Sequence, residues 1–190
     1  MAERADGGVG DLPVVAVQGL GFVGAAMAIA VVSALDAAGR PRYRVTGGDR
    51  DDDVGRQWIA SLNAGRFPFE TTDASLVAAL EAARALGNLE AGTDPAVYGE
   101  ADVIVVDVPL DIDWRAEQPA LRLAGFEAAI RTVGRHVRPG ALVLVETTVP
   151  PGTTEKVVVP LLAETLEARG LAADSVLVAH SYERVMPGAD

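Results

Sequence analysis

A doubly wound α/β fold, a mostly parallel sheet with helices on both faces, is the class this chain predicts. Three observations carry it. Short apolar runs recur along the chain, amphipathic stretches of helical length separate them, and a glycine-rich turn joins the first run to the first such stretch. Runs that are apolar throughout suit parallel strands covered on both faces. Strands alternating with helices imply βαβ units.

Each element follows in order. Residues 14–18 read as a short buried strand and 23–38 as a helix ended by Gly39. Residues 43–48 form a second strand, followed by a helix over 52–64. A further helix spans 73–86, with Leu76, Val77, Leu80 and Ala83 assigned to one face. Residues 89–93 make a weaker third strand. Residues 103–108 and 142–146 are continuous apolar runs, and 121–137 between them read as helix, stopped by Pro139-Gly140. The last helix covers 152–169 and the last strand 176–179. No repeat, low-complexity tract or linker interrupts the pattern. Residues 1–11 are expected to be a disordered lead and 12–190 one domain.

Composition narrows the function classes. The chain has 190 residues, enough for one domain with a sizeable core, and 49% of them are hydrophobic. The net charge of −11 argues against a nucleic-acid surface, which needs clustered Lys and Arg. No apolar run approaches the ~20 residues of a membrane span, and the first residues lack the basic and apolar regions of a secretory signal. No membrane partner and a cytoplasmic location are therefore expected. There is no cysteine, so no disulfide, thiolate metal site or thiol nucleophile exists within this sequence.

The glycine turn is Gly19-Leu20-Gly21-Phe22-Val23-Gly24, placed after a strand and opening a helix. That context makes G-x-G-x-x-G a dinucleotide-binding signal and the fold Rossmann-type. Gly19 permits the tight turn, Gly21 lets the backbone approach a pyrophosphate, and Gly24 allows close packing of helix on strand. The helix N-terminus offers free N–H groups to the phosphates. Asp49 ends the second strand, 25 residues after Gly24, where an acid hydrogen-bonds the adenosine ribose. A carboxylate there repels a 2′-phosphate, so NAD is expected rather than NADP. Arg50 leaves an alternative open, since it could accept that phosphate or lie solvated over the adenine. Val108 and Pro109, ending the fourth strand, are expected to bring backbone close to the cofactor.

Further along lies Glu146-Thr147-Thr148-Val149-Pro150-Pro151-Gly152-Thr153-Thr154-Glu155. Thr147 and Thr148 fall just past the carboxyl end of a buried strand, and the prolines force a rigid turn. Thr153 or Thr154 is expected to cap the following helix. Thr148 could position a water or a substrate oxygen. Glu183 follows the last strand, as a general base or as an ion-pair partner of Arg184. His180 is either a proton-transfer group or a strand-end histidine. Asp107, Asp111 and Asp113 read as a solvated acidic loop, with a metal site as the alternative; no metal is expected.

Five segments, in order, resemble the UDP-glucose/UDP-N-acetylmannosamine (nucleotide-sugar) 6-dehydrogenase family, in its N-terminal NAD-binding domain. They are the glycine turn, residues 62–70, residues 101–109, residues 146–155, and Ser181-Tyr182-Glu183-Arg184-Val185-Met186-Pro187-Gly188. The resemblance implies an enzyme that oxidises the C6 hydroxyl of a UDP-sugar to a carboxylate with two NAD, through an aldehyde and a cysteine thioester. Thr148 matches the family's active-site threonine and Glu183 its glutamate, both associated with positioning water and hydrolysing the thioester. The closing segment is more similar to the UDP-N-acetylhexosamine branch than to the UDP-glucose branch. Tyr182, Leu110 and Gln18 depart from the family pattern. The family's catalytic cysteine, sugar-nucleotide domain and dimerising helix have no counterpart in these residues. The chain is thus expected to be the NAD-binding portion of such an enzyme, inactive alone, acting on a UDP-sugar only with the missing half, and self-associating or pairing with a complementary subunit. A stand-alone NAD-binding module without chemistry is the competing expectation.

Overall fold

The computed structural model describes residues 9–113 and 120–183. Met1–Gly8 of the expected lead and Arg184–Gly188 of the closing motif lie outside the described residues, so the Glu183–Arg184 pair does too. The chain adopts the expected Rossmann-type α/β fold. It falls into two compact units, one ending at Thr93 and the other starting at Asp94.

The first unit contains β1 (Val14–Gln18), α1 (Phe22–Val32), β2 (Arg44–Gly48), α2 (Asp53–Asn63), α3 (Ala74–Leu86) and β3 (Leu89–Gly92). Its strands lie in the order β3-β2-β1, all parallel, with Val14 beside Arg44 and Val45 beside Leu89. Val15, Ala16, Val17 and Val45 of the strands are buried, as are Leu20, Ala28, Ile29 and Leu80.

Polar side chains set the ends of these elements. Asp52 accepts the Gly55 N–H at 2.8 Å to start α2, and Asp73 accepts from Ser75 and Leu76 to start α3. Gly87, at φ +66°, ends α3 in the left-handed conformation. Asn63 then exchanges two 2.9 Å hydrogen bonds with the Ala91 backbone, stitching the end of α2 to β3.

Several expectations change. Helix α1 stops at Val32 rather than running to residue 38. Asp36 accepts the N–H groups of Ala38 and Arg40, and Gly39 takes φ +77°. This Asx-type turn outcompetes two further helical turns and pairs Leu35 with Pro41. Val77 is 43% exposed, because the buried stripe of α3 runs through Leu80 and Ala83, one helical step around from it.

The second unit contains β4 (Val103–Val106), β5 (Asp111–Asp113), β6 (Ala120–Arg122), α4 (Ala124–His136), β7 (Leu142–Val145), α5 (Val159–Glu167) and β8 (Leu177–His180). β4, β7 and β8 are parallel in that order, pairing Val106 with Val145 and Val145 with His180. Another change is the antiparallel ribbon of β5 and β6. It takes Leu121 and Arg122, which helical periodicity assigned to α4. A π-type turn at Thr154–Val158 leads into α5. Thr153 makes no capping bond and is buried at 8% exposure; its N–H bonds the Pro150 carbonyl instead.

Arg169 closes the end of α4 by donating to the Gly134 and Val137 carbonyls at 2.8 Å. Among the described residues, no helix is long and apolar enough to cross a membrane.

Helices α4 and α5 pack tightly at Gly134, where an added Cβ would collide with Thr165 Oγ1 and Cβ. Thr165 is itself fixed by bonds to the Leu161 and Leu162 carbonyls. Gly134→Ala is therefore expected to destabilise the chain by about 1–3 kcal/mol, the usual cost of overpacking, despite alanine's better helix propensity. Urea unfolding of the two forms checks this.

Candidate functional site

In the first unit the site is the glycine turn at the carboxyl end of β1. Gly19 takes φ +96°, a conformation that favours glycine, and its N–H bonds the Gly48 carbonyl at 2.8 Å. Leu20 is fully buried. Gly47 on β2 makes room for it, since a Cβ there would stand 2.9 Å from Leu20 Cδ2.

Gly21 caps α1 without any side-chain hydrogen bond, and the first turn of α1 carries no acid. The leading N–H groups of α1 are thus left unneutralised by the helix's own side chains. A Cβ built on Gly21 meets nothing within 4 Å, so open space lies in front of the backbone where a pyrophosphate would sit. Gly24 is buried in the helix face. Phe22 and Val23 occupy its first turn.

Asp49 is anchored to this turn. Its Oδ2 accepts the Leu20 N–H at 2.6 Å and its Oδ1 the Arg50 N–H at 2.7 Å. A carboxylate has about four acceptor positions, so two remain for ribose hydroxyls. Arg50 turns outward, 71% exposed, and pairs with Asp52 at 3.3 Å. With Asp49, Asp51, Asp52 and Asp53 clustered in sequence around it, this corner disfavours a 2′-phosphate. Open space before Gly21, unneutralised helix N–H groups and a placed carboxylate together fit NAD.

An aromatic cluster that sequence reasoning missed packs on the start of α1. The Phe22 ring lies 5.5 Å from that of Phe67 and 5.6 Å from that of Phe69, and Trp58 lies 5.4 Å from Phe69. It secures residues 62–70 against the helix that begins the site. The F-P-F spacing and the leading Phe22 were the available signal, legible only once Asn63 had tied the end of α2 to β3.

In the second unit the carboxyl ends of β4, β7 and β8 bring together Asp107, Glu146 and Glu183. Asp107 follows Val106 and Glu146 follows Val145, and those two valines are register partners. The Ser181 N–H extends the pairing to the Val145 carbonyl at 3.0 Å. Glu146 is only 5% exposed. Among the described residues, Asp107 Oδ2 and Glu146 Oε2 are buried without a hydrogen-bond partner. Burial, then the charges of Glu146 and Glu183, push the Asp107 carboxyl up to about 7. Burial and Glu183 also raise Glu146.

The two threonines divide the work. Thr147 is buried; its hydroxyl accepts the Val108 N–H at 2.9 Å and donates toward the Val108 carbonyl at 3.0 Å. That fixes half-buried Val108 ahead of exposed Pro109. Thr148 is exposed on the same edge, with its hydroxyl left to face solvent or a ligand. His180 is exposed at the end of β8.

Asp107 thus groups with Glu146 and Glu183, whereas Asp111 and Asp113 belong to the β5–β6 ribbon. Among the described residues no group of three or more acids or histidines is arranged to hold a metal ion. The sequence flagged Asp107 as unusual but not Glu146 beside it, because strand register rather than chain proximity brings those two acids together.

A glycine turn with an anchored acid at the carboxyl ends of two parallel strands is the signature of a dinucleotide-binding domain. Residues 14–190 match the UDP-glucose/GDP-mannose dehydrogenase family, NAD binding domain, and the chain belongs to that family. It is 34% identical to the UDP-N-acetyl-D-mannosamine dehydrogenase of Pyrococcus horikoshii, over 92% of this chain and 37% of that protein. The crystal structure of NDP-N-acetyl-D-galactosaminuronic acid dehydrogenase from Methanosarcina mazei superposes with TM-score 0.80 at 27% identity, covering 94% of this chain and 36% of that one. A ternary complex of GDP-mannose dehydrogenase from Pseudomonas aeruginosa gives TM-score 0.73 at 26% identity, over 91% and 36%. The chain therefore spans little more than a third of the length of these relatives.

The raised Asp107 pKa has a consequence for stability. Between pH 4 and about 7 the unfolded chain, with an ordinary carboxyl near 3.8, gives up the Asp107 proton before the folded chain does. The folded state then binds more protons, so this group's contribution to stability falls as pH rises through that window. Asp107→Asn is expected to remove the loss. Its midpoint of thermal unfolding at pH 8 should exceed the parent's by at least about 2–4 °C, what 1 kcal/mol is worth in a chain this size, with little difference at pH 4. Calorimetry at the two pH values checks it.

Proposed function

We propose that this chain is the NAD-binding portion of a nucleotide-sugar dehydrogenase that oxidises the C6 hydroxyl of a UDP-N-acetylhexosamine to the uronate. The observation that carries the reading is the edge of the second unit. There Thr148 and Glu183, the residues matching the family's threonine and glutamate, follow the carboxyl ends of the parallel strands β7 and β8. The relatives named for UDP-N-acetyl-D-mannosamine and NDP-N-acetyl-D-galactosaminuronic acid favour an N-acetylated sugar over glucose.

NAD, when bound, would supply the acceptor for the hydride lost by the carbon being oxidised. Gly19, Leu20, Gly21, Phe22, Val23 and Gly24 would hold its pyrophosphate through backbone and helix N–H groups. Asp49 would take the adenosine ribose, and Arg50 would flank the adenine from solvent. Val108 and Pro109, held by Thr147, would bring backbone close to the cofactor. Thr148 orients a substrate oxygen or water, and Glu183 accepts a proton from it. The chain has no cysteine, so the thioester step that the family resemblance implies draws its thiol from residues outside this sequence.

The test is titration with NAD beside an assay of NADH formation with UDP-N-acetylmannosamine, UDP-N-acetylglucosamine and UDP-glucose. Binding of NAD without turnover is expected. NADH production by this chain alone would overturn the division of labour, and failure to bind NAD would overturn the reading itself.

A further inference from the structure

The donors that the start of α1 offers to a diphosphate are backbone N–H groups, so their aim depends on how the first helical turn is held. Glycine makes that turn conformationally permissive, and Gly21 caps the helix without a side-chain hydrogen bond. Asp49 steadies the turn from β2 through the Leu20 N–H at 2.6 Å. Phe22, the first residue of α1, carries the largest side chain of the turn and extends away from that contact to a second one.

The Phe22 ring completes a triangle with Phe67 and Phe69. Its centroid lies 5.5 Å from the first and 5.6 Å from the second, those two lie 5.6 Å apart, and each pair meets edge to face. Edge-to-face contacts are directional, so the triangle sets an orientation where aliphatic packing would only fill volume. Trp58 of α2 backs Phe69 at 5.4 Å. All four rings are half-buried, apart from the fully buried aliphatic residues of β1 and α1.

The segment that bears Phe67 and Phe69 is fixed in its turn. Gly65 takes φ +71°, and the Arg66 N–H bonds the Ser61 carbonyl at 2.9 Å. Pro68 restricts the backbone between the two rings. Arg84 of α3 lies over Gly65, its Cδ 3.0 Å from where a Cβ would stand, and Asn63 ties the end of α2 to Ala91 of β3. Contacts from α2, α3 and β3 thus converge on a short connection whose rings end on the phosphate-binding turn.

We propose that Phe67 and Phe69 are positioning residues for the diphosphate of the dinucleotide, acting through the Phe22 ring to hold the first turn of α1 in its binding orientation. The inference rests on the NAD reading of the glycine turn and adds to it two residues from outside that turn. With the ring contacts in place the N–H groups are aimed before the ligand arrives. Without them the turn samples other orientations, and affinity falls with the fraction of chains correctly aimed.

The experiment is calorimetric titration with ADP, which carries the adenosine and the diphosphate alone, for the parent, Phe67→Leu, Phe67→Tyr, Phe22→Leu and the Phe22→Leu/Phe67→Leu double variant. Phe67→Leu keeps apolar bulk but loses the ring, and is expected to weaken ADP about fivefold, a competent fraction of about one fifth. Phe67→Tyr keeps the ring, with its hydroxyl able to reach water, and should bind as the parent does. Phe22→Leu should weaken ADP to a similar degree, and adding Phe67→Leu to it should cost less than about twofold more, because both act through one contact. Phe69→Leu takes the place of Phe67→Leu in the same cycle should that variant not fold. Parent-like ADP binding by the leucine variant, or a double variant weakened by the full product of about 25-fold, would overturn the positioning role and leave the NAD reading standing. Failure of the parent to bind ADP would overturn both.

Discussion

The 2.6 Å hydrogen bond from the Leu20 N–H to Asp49 Oδ2 is the contact on which the first unit's geometry turns. It joins the glycine turn after β1 to the residue that ends β2, so two strand ends and the start of α1 become one rigid corner. A charge-assisted bond of this kind is worth more than a neutral one. It also fixes which carboxylate lone pairs remain for a ligand. Packing reinforces the same corner: Leu20 is buried in the gap left by Gly47, and Phe22 is held by Phe67 and Phe69. The open space in front of Gly21 is therefore framed by fixed walls, as binding a dinucleotide without reorganisation requires.

The second unit is built on the opposite electrostatic principle. Where the first presents helix N–H groups to phosphates, the second gathers carboxyl groups at its strand ends and leaves two of their oxygens without partners among the described residues. Such an arrangement lowers stability at neutral pH. Thr147 shows that the edge is not loosely built, since its hydroxyl satisfies both backbone groups of Val108. The unpartnered acids sit beside a well-bonded framework. That contrast supports a functional reading of the acids over a packing defect, because sites commonly retain locally unfavourable chemistry that the surrounding fold sustains.

Much of this was legible in the sequence. Strand-turn-helix context gave the glycine turn its meaning, and Asp52, Asp73 and Gly87 mark helix ends by local chemistry alone. Asp49 was identifiable from its distance to Gly24, and Thr148 and Glu183 from the family resemblance. What escaped depended on contacts between distant segments or on competing turns. The end of α1 was lost to the Asp36 turn, and Leu121 to a ribbon whose partner strand precedes it. Asn63 and the ring cluster require α2 folded against β3. Glu146 looked like one more strand residue until register set it beside Asp107.

The central claim is that the glycine turn and Asp49 form an NAD site, and titration of the parent chain and Asp49→Asn with NAD and NADP tests it most directly. The asparagine oxygen can still accept the Leu20 N–H, so the corner should survive while the charge facing the ribose is lost. The parent is expected to bind NAD more tightly than NADP, and the variant to bind NAD about tenfold more weakly, the scale of a charged hydrogen bond, with a narrowed gap between the two cofactors. Equal binding of NAD and NADP by the parent, or undiminished NAD binding by the variant, would contradict it.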